Sequence, residues 1–70
     1  MDARHIASLS VETWQASGSR TSERLASLVR SYVESYYGPD ASWTPEQRDL
    51  CASAQTIALS SQAAFRLMAR

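Results

Sequence analysis

Seventy residues with seven acidic and seven basic side chains carry no net charge, so no whole-molecule field draws this chain to nucleic acid or to an anionic membrane. The apolar fraction of 44%, with aromatic and aliphatic residues spread along the chain, speaks against disorder. One small domain, residues 1–70, is expected; at this size it buries only about 60% of its unfolded surface, which leaves room for further burial in an oligomer or a partner complex.

Every basic residue is arginine, and neither lysine nor asparagine occurs. That usage points to a GC-rich bacterial or phage genome and provides planar donors suited to interfaces. A single cysteine, Cys51, can form no intramolecular disulfide, and Met1 to Val11 carries Asp2 and lacks a long apolar core, so a cytoplasmic location is expected. No run approaches the roughly 18 apolar residues of a membrane span.

From Met1 to Ser17 two patterns compete. Ala3, Ala7, Val11 and Trp14 share a helix face, whereas Leu9, Val11 and Thr13 alternate as a strand would. A lone strand in a helical chain has no pairing partner, which selects the helix, capped by Asp2 in a long version or by Ser10 in a short one. Ala16 to Arg20, with Gly18 between serines, reads as the connection that follows.

The clearest periodicity is that of Leu25, Leu28, Val29, Tyr32, Val33 and Tyr36, which predicts a helix over residues 22–37. Thr21 or Ser22 caps it, and Gly38 followed by Pro39 stops it. Its buried face is expected to centre on Leu25, Leu28, Tyr32 and Tyr36, with Ala26, Val33 and Tyr37 on one flank. Thr44-Pro45-Glu46-Gln47 then combines a hydroxyl cap, a first-turn proline and a capping-box glutamine, predicting a third helix that runs over 45–69. Its main stripe, Leu50, Ala54, Ile57, Ala58, Phe65 and Met68, is expected to pack on the second helix as a helical hairpin. Behind it lies a second stripe, Ala52, Leu59, Ala63 and Leu67, which the first helix or another chain must cover.

Chemistry is sparsely encoded. The only histidine, His5, and the only cysteine are 46 positions apart and make no ligand pair, and one histidine among twelve serines provides no catalytic triad. No catalytic residue, metal site or cofactor is expected. Ser19, Arg20, Thr21 and Ser22 place hydroxyls and a guanidinium at a helix start, the ingredients of an anion site, although any hydroxyl-capped helix after a glycine turn uses the same residues. Val11 to Ser17, the glycine turn and a helix bearing Arg20, Arg24, Ser27 and Arg30 also outline a helix-turn-helix DNA reader, against which Glu23, Glu34 and the zero net charge count. Trp14, Tyr37 and Trp43 stand near helix ends, where they either close the bundle or anchor an interface.

The expected fold is therefore all-α: a helical hairpin with a shorter N-terminal third helix, a small bundle completed by oligomerisation. The expected function is binding rather than catalysis, as a bacterial or phage adaptor or inhibitor that docks on a protein and self-associates, most simply as a dimer. Its surface would be Ala52, Leu59, Ala63, Leu67, Trp14, Tyr37 and Trp43. A helix-turn-helix regulator and an oligomeric small-ligand-binding module are the alternatives.

Overall fold

The computed structural model describes residues 2–18, 21–61 and 64. Over these residues the chain is helical, without strands: α1 spans Ala3–Ala16, α2 Ser22–Tyr37 and α3 Pro45–Ser60, with one 3-10 turn at Asp40–Ser42. Each helix packs against both others, the arrangement of a small helical bundle.

Local chemistry accounts for the helix starts. Asp2 opens the long version of α1, its Oδ1 accepting the His5 backbone N–H at 2.8 Å. Ser10, the rival cap, is instead buried inside that helix and donates its hydroxyl to the Ile6 carbonyl at 2.8 Å. Thr21 caps α2 through an Arg24 N–H at 3.1 Å. At the other end Gly38 adopts φ 87°, and its N–H closes on the Glu34 carbonyl at 2.8 Å. The capping box of α3 is complete: Gln47 N–H donates to Thr44 Oγ1 at 3.2 Å and Thr44 N–H to Gln47 Oε1 at 2.9 Å.

Two expectations need correction. The third helix does not run unbroken to residue 69; α3 ends at Ser60, because Ser61 takes extended backbone (φ −65°, ψ 146°) and its Oγ accepts the Ala64 N–H at 3.1 Å. That hydrogen bond is the one a serine cap makes, so the side chain competes with helix continuation at this point. Ala64 itself is helical and fully buried. The second correction concerns α2, whose buried residues are Leu25, Leu28, Val29 and Val33; Tyr32 is half-buried and Tyr36 is 48% exposed. By rotation Tyr32 and Tyr36 lie within the arc from Leu28 to Val33, so their exposure is not a matter of helix face; Tyr36 stands in the last turn of α2, which ends at Tyr37.

The core takes its large side chains from α1 and α2 and its small ones from α3. Ile6, Trp14, Leu25, Val29 and Val33 are fully buried, whereas α3 contributes Cys51, Ala54 and Ala58. With so little side chain on the contacting face, α3 approaches its neighbours closely and its larger residues are left at the flanks. Polar groups tie the helices at the edges of this core. Gln55 Nε2 donates to the Ala26 carbonyl at 3.2 Å. Thr13 donates to the Leu9 carbonyl at 3.0 Å, which leaves the Tyr32 hydroxyl to donate to Thr13 Oγ1 at 2.7 Å.

Candidate interaction surface

The azimuth of α3 decides which residues face outward. At 100° per residue, the buried set Cys51, Ala54 and Ala58 centres about 70° away from Leu50, on the Cys51 side. That rotation carries Ile57, expected in the buried stripe, to an edge where it is 38% exposed. It also turns Leu59 partly inward, so Leu59 is half-buried and packs against the monomer's own core. Ala52 remains exposed, with Ser53 and Thr56 beside it. Among the described residues, Ile57 and Tyr36 are the large exposed hydrophobic side chains.

Beside Ile57, a groove of about 290 Å³ runs between α1 and α3, lined by Arg4, Ser8, Val11, Glu12, Gln15 and Ala58 among others. A shallower cleft continues over the outer face of α3 along Ala52, Ser53, Thr56 and Ile57. Arg4, Ser8, Glu12 and Gln15 are all exposed on one face of α1. This face was legible only in part beforehand. Their spacing of four, four and three residues is helical, but polar residues in that pattern read as an ordinary solvated surface.

Neither tryptophan stands free as an anchor. Trp14 is fully buried, and its indole N–H donates to the Thr21 carbonyl at 2.9 Å. It closes the α1–α2 connection and presents no surface to a partner, which corrects its placement in the interface. Trp43 is half-buried and makes the corresponding bond across the α2–α3 connection, Nε1 to the Gly38 carbonyl at 2.8 Å. Tyr37 is likewise half-buried and packs on the core. Each indole thus serves as a staple for one turn, satisfying its own N–H and a loop carbonyl together. Ala63 and Leu67 lie outside the described residues.

The corner beneath Trp43 is polar. Arg30 pairs with Glu34 at 3.4 Å and with Asp40, and Arg48 donates to the Asp40 carbonyl at 3.0 Å. Arg30, Asp40, Arg48 and Cys51 line a cleft of about 270 Å³ with Trp43. Cys51 is only 7% exposed; burial raises its thiol pKa above 9.0, the Arg30 guanidinium opposes that shift and Glu34 adds to it. A thiol held protonated in this way is a poor nucleophile at neutral pH. Among the described residues, no three His, Cys, Asp or Glu side chains converge.

The anion site is also reapportioned. Thr21 spends its hydroxyl oxygen on the helix cap and its carbonyl on Trp14, and Ser22 is the exposed first residue of α2. Ser19 and Arg20 lie outside the described residues. No helix among the described residues is long and apolar enough to cross a membrane. No family model, curated protein or solved structure matches the chain.

Proposed function

We propose that this chain is a non-enzymatic protein-binding module, a small helical adaptor or inhibitor that docks on a protein partner and associates with itself. The observation that carries this reading is Ile57. A β-branched aliphatic side chain, 38% exposed, stands between the α1–α3 groove and the Ala52, Ser53, Thr56 face, where the packed core gives it no use. Half-buried Tyr37 and Trp43 extend the surface at the far corner of the bundle. The marginal core of a 70-residue chain gives such association a thermodynamic return, since burial shared with a second chain adds to burial within the first.

A cytoplasmic setting in a bacterium or phage-infected cell fits the lone buried thiol and the arginine-only basic set. The DNA-reading alternative draws less support, because Arg30, one of the cations it requires on α2, is engaged by Glu34 and Asp40.

Sedimentation velocity from micromolar to about 1 mM tests the reading. Concentration-dependent association that Ile57→Glu weakens, with the helical circular dichroism unchanged, is the expected result. A wild-type chain monomeric across that range, with Ile57→Glu altering no association, removes it.

A further inference from the structure

The groove between α1 and α3 has a charge pattern that complements itself. Arg4 and Glu12 lie four residues on either side of Ser8, about 6 Å along the helix axis in each direction and 40° to either side of it around the helix. All three are exposed, and among the described residues the ion pairs are those of Arg30, so Arg4 and Glu12 take part in none. A twofold rotation perpendicular to α1 at Ser8 therefore lays Arg4 of one copy opposite Glu12 of the other, and the reciprocal pair forms by symmetry. Ser8, small and central, lets the two helices approach, and Ile57 at the groove edge provides apolar surface beside the polar line.

We propose that the occupant of the α1–α3 groove is a second copy of this chain, docked with α1 antiparallel to its counterpart about a twofold axis at Ser8. The inference rests on the self-association reading above and specifies its geometry. A 14-residue helix and one aliphatic side chain form a contact at the small end of the range for specific complexes, so the dimer is weak, with a dissociation constant of roughly micromolar to hundreds of micromolar.

Charge reversal tests it without touching the core. Arg4→Glu or Glu12→Arg alone places like charges opposite each other twice in a homodimer, and each raises the dimer dissociation constant about tenfold or more. Mixing the two variants restores association, because an acidic pair on one copy then faces a basic pair on the other. Arg24→Glu alone is the control: it carries the same net charge as Arg4→Glu, with the acidic substitution on α2 away from the groove, and leaves the wild-type dissociation constant in place. Sedimentation equilibrium reads all three. A wild-type dimer indifferent to both reversals, weakened equally by Arg24→Glu, or not restored by mixing the two reversals, overturns this geometry while leaving the binding reading in place; a wild-type chain monomeric at about 1 mM overturns both.

Discussion

Gly38 shows how much one residue settles at the α2–α3 corner. Its φ of 87° lies in the region that an L side chain enters only with strain, although an added Cβ would meet nothing closer than the Ser42 hydroxyl at 3.8 Å. Gly38→Ala is therefore a conformational rather than a steric lesion and destabilises the chain by about 1–2 kcal/mol in urea unfolding. Trp14 is the opposite case, a lesion of volume: Trp14→Ala removes the largest fully buried side chain and the indole bond to the Thr21 carbonyl, which keeps the Leu25 N–H at 3.2 Å, for a loss of about 3–5 kcal/mol. In a domain this small that abolishes the cooperative thermal transition.

Cys51 couples the core to pH. Burial raises its pKa above the unfolded value of 9.0, so between those two values the folded state holds a proton that the unfolded state releases. Stability is full below pH 9.0 and falls as pH climbs through the folded-state pKa. Cys51→Ala flattens that alkaline decline in unfolding curves measured from pH 8 upward, and native thiol labelling of the wild type is slow because the thiol is buried.

At the scale of elements, α3 is the helix whose orientation matters most. Its close packing through Cys51, Ala54 and Ala58 means that added bulk on that face is resisted and lost bulk on the other is tolerated. Ala54→Leu costs about 1–3 kcal/mol by overpacking. Ile57→Ala, removing a partly exposed side chain, costs under about 1 kcal/mol in the monomer. Equal losses at the two positions would mean that α3 is rotated back toward Leu50. The helix start is open to a similar check, since Thr44→Ala removes the hydroxyl acceptor of the capping box and lowers stability by about 1 kcal/mol.

For the whole molecule, the division of labour between large residues on α1 and α2 and small ones on α3 links folding to binding. The core is filled without Ile57, which is then available to a neighbour, and the exposed line from Arg4 to Gln15 runs beside it. If association stabilises the fold, the thermal midpoint rises with protein concentration, and Ile57→Glu removes that dependence.

The sequence by itself determined the all-α class, the start of α3 and the stop at Gly38, and narrowed the other two helix starts to two caps each, because caps and periodicity act over three or four residues of contiguous chain. The Thr44–Gln47 box was legible for that reason, whereas the choice of Asp2 over Ser10 and of Thr21 over Ser22 came from the structure. Only the tertiary structure decided which face of α3 turns inward, that Trp14 is core rather than surface, and that Ser61 breaks the helix. A reading weighted by large apolar side chains placed Leu50 and Ile57 at the centre; packing placed the alanines there, because three mutually contacting helices must bring small residues to their closest approach. The candidate surface follows from that choice, since Ile57 becomes exposed only when neighbouring helices have taken the space on the other side.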